Sequence, residues 1–256
     1  NAIFSRDCIH DLRSRLHLSL SSGVSERIFN LAIQGESEPK WDVSIHKNAA
    51  IIIELERASP RAAEQAFFSV RNMISQLPKA GDIAALLGVA ANKIRAVTNF
   101  DRVVAYRFFA DESESGEILA ESKSPQVGAL IGQHFPAFYI PHQITALLKQ
   151  QTLRVIADVN DPGIRLYTQT KPPQSLDLTF SMCKSGSHYD VDDLISMKVQ
   201  ASLTISIFIE GKLWGMFICH NRKPKYIPLD TRTLLEFFIE VFSLHLANRL
   251  LREQYE

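Results

Sequence analysis

The sequence has no excess charge of either sign, with 28 Lys and Arg set against 28 Asp and Glu. No global field draws such a chain to nucleic acid or to an anionic membrane surface, and neither is expected as a partner. Cysteine is scarce: Cys8, Cys183 and Cys219 are odd in number, far apart and without a C-x-x-C pair. That argues against a disulfide framework or a cysteine zinc cage and for a reducing, cytoplasmic setting. No run of about 18 apolar residues occurs, and the charged opening NAIFSRDCIHDLRSRL reads as an amphipathic helix, not a signal peptide. Gly-rich phosphate loop, H-E-x-x-H, nucleophile elbow and kinase signature are all missing, so an enzyme is not expected. What remains, 256 residues at 46% apolar, suffices for one large or two small domains with real cores.

The elements that are there read as an α+β order with antiparallel sheets flanked by helices. A helix over residues 5–18 precedes strands over 26–33, 41–45 and 50–55, with His46, Lys47 and Asn48 making the last turn. One helix and three strands are too little to close a core, so this segment reads as the tail of a domain that begins upstream. Pro60 at a first helical position opens a helix from Ser59 to Leu77, stopped before Pro78. Asp82 caps a second helix, whose Ile83, Leu86, Leu87, Ala90, Ile94 and Val97 mark a face laid on a sheet. Strands over 102–109 and 117–121 flank an acidic tip at 111–116. Residues 122–198 are less regular, with a helix over 142–151, a strand over 153–158 and a polar loop to Leu176. A stretch of that kind is usually a binding loop over something beneath it. Residues 190–199 read as a helix whose Asp190, Asp192 and Asp193 complement its dipole in preference to binding a metal, despite nearby His188. The last helix, capped by Asp230 and running over 231–254, is apolar on more than one stripe. A partner helix in a homodimer or a continuation into a downstream helix is expected, against the alternative of a buried terminal helix in a monomer.

The most informative stretch is VQASLTISIFIEGKLWGMFICHNR, residues 199–222, a hairpin turning at Glu210-Gly211. A two-residue primed turn would need positive φ at Glu210, whereas a three-residue loop needs it only at Gly211, so the odd loop is expected. Its parity sets Ser202, Thr204 and Ser206 on one face with Trp214, Met216 and His220, and Leu203, Ile205, Ile207, Leu213 and Phe217 on the other. The first face is either a sheet surface satisfied locally or the floor of a site. Cys219 and His220, as strand neighbours, point apart and cannot act as a thiolate–imidazole pair. Collected from separate segments, Tyr106, Phe135, Tyr139, Arg154, Lys184, Ser202, Thr204 and His220 offer cations, hydroxyls and aromatics suited to a flat conjugated ligand with carboxylates.

The order FDRVVAYRF, GEILAESKSP, FPAFYIPHQ, RVIADV, LDLTFSMCKS and MKVQASLTISIFIEGKLWGMFICH, then the long last helix, resembles the GAF domain of bacterial phytochromes. HDLRSRL and WDVSIHKNAAIIIELE resemble the back half of the phytochrome PAS domain. The resemblance implies the C-terminal part of a PAS domain over 1–57, a linker and first GAF helix over 58–81, and a GAF domain over 82–256 ending in a dimerisation helix. It further implies a bilin in the GAF pocket, biliverdin in bacterial members, bonded to a cysteine ahead of the PAS domain. A PHY domain and an output module, commonly a histidine kinase, would follow downstream.

Position by position, Tyr106 and Phe135 match the aromatics near the rotating ring, Arg154 a propionate-binding arginine, Ser202 and Thr204 the hydroxyls facing the other propionate, and His220 the ring-D histidine. Ile140 and Pro141 close the family's P-x-S-D-I-P, where Tyr139 replaces the aspartate. Asp190 replaces the histidine close to the pyrrole nitrogens, Lys184 an arginine and Asp193 a tyrosine. Tyr189 stands where plant-type members carry their chromophore cysteine, so attachment within the GAF domain is not expected. Two readings follow: a sensor that binds a bilin with altered photochemistry, or a bilin-free relative that answers to redox state, through Cys183 and Cys219, or to a partner protein.

Overall fold

The computed structural model of the chain describes residues 4–22, 25–33, 40–47, 50–59, 63–109, 115–136, 142–163, 165, 167, 176–183 and 188–255. These divide into two units: Asn1–Arg61 with Pro162–Ser185 and Pro228–Asp230, and Ala62–Asp161 with Gly186–Ile227 and Thr231–Glu256.

In the first unit, helix α1 (Arg6–Ser22) is followed by strands β1 (Glu26–Leu31), β2 (Trp41–Lys47) and β3 (Ile51–Arg57), paired antiparallel in the order β1-β2-β3. Alternation along β2 sends Val43 and Ile45 to one face, where Cys8 and Leu12 of α1 and Leu31 close a small core over them. The opposite face carries Asp42, Ser44 and His46, all buried. His46 and Lys47, expected in a turn, instead pair with Ile52 and Ile51, because the β-branched run Ile51–Ile53 extends the ladder by two residues. The helix and three strands do not stand alone. Residues 162–185, far away in sequence, belong to this unit.

The second unit opens with α2 (Ala63–Ser75), a 3₁₀ turn at Leu77–Lys79 around Pro78, and α3 (Ile83–Thr98). Asp82 accepts from the Ala85 N–H at 2.7 Å and Asn99 ends α3 in the left-handed region, so its cap is the expected one. Strands β4 (Arg102–Phe108), β5 (Gly116–Lys123), β6 (His134–Phe135), β7 (Leu153–Ile156), β8 (Ala201–Ile209) and β9 (Lys212–Asn221) form one antiparallel sheet in the order β6-β5-β4-β9-β8-β7. Helices α4 (His142–Leu148) and α5 (His188–Ser196) lie in the less regular region, and α6 (Leu229–Tyr255) ends the chain. Asp230, expected as the cap of α6, sits inside its first turn. Among the described residues no helix is long and apolar enough to cross a membrane.

The hairpin turn departs from expectation and its consequence does not. Glu210 and Gly211 form a two-residue turn with φ of 50° and 75°, a primed geometry that matches strand twist at the cost of a left-handed non-glycine residue. A bulge between Ile207 and Phe208 then pairs Ile207 with Gly215 and Phe208 with Leu213, leaving Trp214 as the extra residue. The bulge restores the parity that an odd loop would have given. Ser202 faces His220 and Ser206 faces Met216, while Leu203, Ile205 and Phe217 share the other face with Cys219. Leu213 changes sides: it packs with Tyr106 and Met216. The apolar face buries against helices, Phe217 meeting Phe242 of α6 at 5.3 Å between ring centroids.

Candidate functional site

Register places the candidate groups in rows across one face of the six-stranded sheet. One row runs Ile156, Ser202, His220, Arg102; the next pairs Arg154 with Thr204 and continues through Ile218 and Val104; a third joins Ser206, Met216, Tyr106 and Ile118. Facing residues in such rows have Cβ atoms about 5 Å apart, so the side chains adjoin. Of the residues named from sequence, Tyr106, Arg154, Ser202, Thr204 and His220 therefore share a face, with Phe135 packed against it. Tyr139, Ile140, Pro141 and Lys184 lie outside the described residues. Asp190 lies in the first turn of α5, and its side chain is outside the description.

His220 is buried and its Nδ1 lies 3.0 Å from Arg102 Nη2. A guanidinium can only donate, so Nδ1 must accept and the imidazole proton sits on Nε2. Burial, then the Arg102 charge, pushes the His220 pKa down to about 3, which keeps the ring neutral. The result is a neutral N–H donor with a fixed tautomer. Arg102 is itself buried; it donates to the Gly128 carbonyl at 3.2 Å and has Glu121 as countercharge. Sequence reading missed Arg102. Its signal, a cation opening a strand of apolar residues, acquires meaning only when β4 is known to lie beside β9.

Tyr106 is 2% exposed, and its hydroxyl has no hydrogen-bond partner among the described residues. Burial pushes the phenol up to about 12, so it remains a neutral donor and acceptor. Its ring is held edge-on by Phe108 at 5.0 Å and Phe135 at 6.2 Å. A Cβ on Gly116 would stand 2.6 Å from the Tyr106 ring, and one on Gly215 2.3 Å from the Tyr106 carbonyl oxygen, so both positions must lack a side chain. Ser206 is satisfied locally, its hydroxyl 3.0 Å from the carbonyls of Leu148 and Gln151 at the end of α4. Ser202 and Thr204 differ: neither hydroxyl engages a partner among the described residues. The face thus presents a neutral N–H, two open hydroxyls, a buried unpaired phenol and the Arg154 cation, within reach of a planar ligand with carbonyl and carboxylate oxygens.

The cysteines give the redox reading little material. Cys219 lies on the apolar face beside Val103 and Leu203, fully buried, and burial raises its thiol well above the ordinary range. Cys8 is shifted the same way by burial and by Asp11. Neither thiol ionises readily, and the thiolate is the reactive form. Cys183 is exposed.

The GAF domain model matches residues 82–250. This chain belongs to the GAF domain family. The GAF domain of this chain is accompanied by a wider likeness. It is 38% identical over 177 residues to the bacteriophytochrome of Pseudomonas aeruginosa, covering 68% of this chain and 24% of that protein. It is 33% identical over 214 residues to cyanobacterial phytochrome B of a Nostoc species, covering 81% of this chain and 28% of that protein. It thus spans about a quarter of the length of these relatives. The chromophore-binding domain of Stigmatella aurantiaca bacteriophytochrome superimposes with a TM-score of 0.84 at 31% identity, over 96% of this chain and 81% of that one. The photosensory core module of the Stigmatella aurantiaca phytochrome gives 0.87 at 30% identity, over 99% and 51%. The chain is homologous to phytochrome photosensory segments, with the mixed helix and antiparallel-sheet fold that its sequence leads one to expect.

Proposed function

We propose that this chain is the bilin-binding part of a phytochrome-type sensor, holding biliverdin on the polar face of the six-stranded sheet and relaying its state to a downstream output domain such as a histidine kinase. The observation that carries the reading is the unfilled bonding capacity on that face among the described residues: the unpartnered, buried Tyr106 phenol and the open Ser202 and Thr204 hydroxyls, beside a neutral His220 with a fixed tautomer. The buried Tyr106 hydroxyl, left without a partner, costs about 1–3 kcal/mol, which a ligand with complementary oxygens would recover.

The described residues fit such a ligand. Arg154, Ser202 and Thr204 would hold propionate carboxylates, His220 would donate from Nε2 to a ring carbonyl, and Tyr106 with Phe135 would wall the aromatic system. Of the remaining candidates, Lys184 would add a cation, and Tyr139, Ile140, Pro141 and Asp190 would line the pocket; Tyr139 and Asp190 would set it apart from other phytochromes. When bound, the bilin supplies visible-light absorption. Arg102 locks the His220 tautomer, so the donor offered to the ligand does not depend on pH in the neutral range.

Signal relay is proposed through α6. Phe237, Leu244 and Leu251, at seven-residue spacing, are exposed on that helix, a seam suited to the same helix of a second copy and to continuation toward a PHY domain. The three free cysteines support a cytoplasmic setting. The deciding experiment is an absorbance spectrum of the full-length parent protein incubated with biliverdin in darkness and then under red light. A sharpened far-red band that changes on illumination is expected. A spectrum identical to free biliverdin would leave the light-independent reading, in which a partner protein is the signal.

A further inference from the structure

At the other end of the sheet from His220, where β4, α4 and the tip of the β8–β9 hairpin meet, lies a cavity of about 1050 Å³. Leu213 on its lining lies seven positions before His220 along β9, about 23 Å on an extended strand. Three features set the cavity apart from ordinary surface. Phe108, Phe109, Phe208, Leu213 and Trp214 all converge on it and are all only partly buried, whereas large apolar side chains of a folded domain are usually spent in its core. Thr145 also lines it, 2% exposed and with no partner for Oγ1 among the described residues. Lys149 and Lys212 are exposed on the same lining, and neither ammonium has a partner among the described residues. The third cation, Arg107, is already paired with Glu117, and among the described residues the lining's one carboxylate is Glu210 at the turn. Among the described residues the available charge is therefore positive.

We propose that this cavity is a second binding site of the GAF domain, distinct from the polar face around His220, and that it takes a small flat organic anion. An aromatic body would lie against Phe208, Leu213 and Trp214, a carboxylate would sit between Lys149 and Lys212, and Thr145 would supply the buried hydroxyl. Phe108 connects the two sites. It lines this cavity and packs edge-on against Tyr106, so an occupant here presses on the aromatic wall of the polar face.

The test is calorimetric titration of the folded protein with naphthalene-2-carboxylate, and with naphthalene-2-methanol as its uncharged counterpart. The carboxylate is expected to bind more tightly than the alcohol. The double substitution Lys149→Gln and Lys212→Gln, both at exposed positions that leave the fold intact, should weaken the carboxylate by about fivefold, the scale of two exposed ion pairs, and leave the alcohol unchanged. Biliverdin added beforehand should not displace the carboxylate, and its own absorbance reports separately on the polar face. Absence of binding, equal affinity in the double variant, or competitive displacement by biliverdin would each overturn the proposal.

Discussion

In the three-stranded sheet, Asp42, Ser44, His46 and Glu54 share a buried face, much as Tyr106, Ser202 and His220 do, with half-buried Thr204 beside them, in the six-stranded one. In the first, the chain supplies the partners of the buried carboxylate Glu54, while His46 Nε2 has none among the described residues. Glu54 accepts from the Ser181 hydroxyl, from the N–H groups of Met182 at 3.2 Å and Cys183 at 2.8 Å, and from Ser44 at 3.4 Å, with His46 Nδ1 at 3.8 Å. Burial alone would raise its carboxyl, but the bonds from Ser181, Cys183 and Met182 outweigh it and hold Glu54 below its ordinary value. In the six-stranded sheet the hydroxyls of Ser202, Thr204 and Tyr106 are left open by the described residues. A buried carboxylate closed by its own chain is structure; hydroxyls that stay open have capacity for a ligand.

The largest effect at neutral pH that would sharpen this contrast is expected at Glu54. Glu54→Ala strands the donors of Ser181, Met182 and Cys183 and should cost about 3 kcal/mol in urea unfolding, with faster labelling of the Cys183 thiol. Next is pH. His220 titrates near 3 when folded and near 6.5 when unfolded, so below 6.5 the unfolded chain binds more protons than the folded one. Its contribution to stability is complete above pH 6.5 and falls by up to about 1.4 kcal/mol per unit as pH drops toward 3. His220→Gln should flatten that window in denaturation curves; an unchanged slope would mean that His220 is not held neutral by its surroundings.

Smaller effects separate the hydroxyls. Ser206→Ala removes a satisfied bond and should destabilise by about 1 kcal/mol, whereas Tyr106→Phe removes an unsatisfied one and should stabilise the ligand-free protein by about the same amount. A loss of stability in Tyr106→Phe would break the comparison, since it would reveal a partner for the phenol. The smallest change in stability, under about 0.5 kcal/mol, is expected for Ser202→Ala with Thr204→Val. The same pair should weaken biliverdin uptake measured by absorbance.

Much of the candidate face was legible because strand alternation is a local rule. Ser202, Thr204, Ser206 and His220 share a face whatever else the chain does, provided the hairpin parity is known. That parity was reached through the wrong turn: the two-residue turn at Glu210-Gly211 and the bulge at Trp214 together give the alternation of a three-residue loop, and only Leu213 and Trp214 reveal the difference. Arg102 was not legible, since its role depends on β4 and β9 becoming neighbours, with Arg102 and His220 lying 118 residues apart in the sequence. Nor could periodicity distinguish Ser206, which closes the end of α4, from Ser202 and Thr204, which stay open.

The amino-acid sequence by itself determined the elements, their faces, the cap at Asp82 and the family, because helix capping, period-two alternation and motif order are properties of neighbouring residues. Which polar face is filled was decided only by tertiary structure. Whether a buried hydroxyl or carboxylate finds a partner depends on segments brought together from opposite ends of the chain: Ser181 to Glu54, Arg102 to His220, and none of the described residues to the hydroxyls of Tyr106, Ser202 and Thr204.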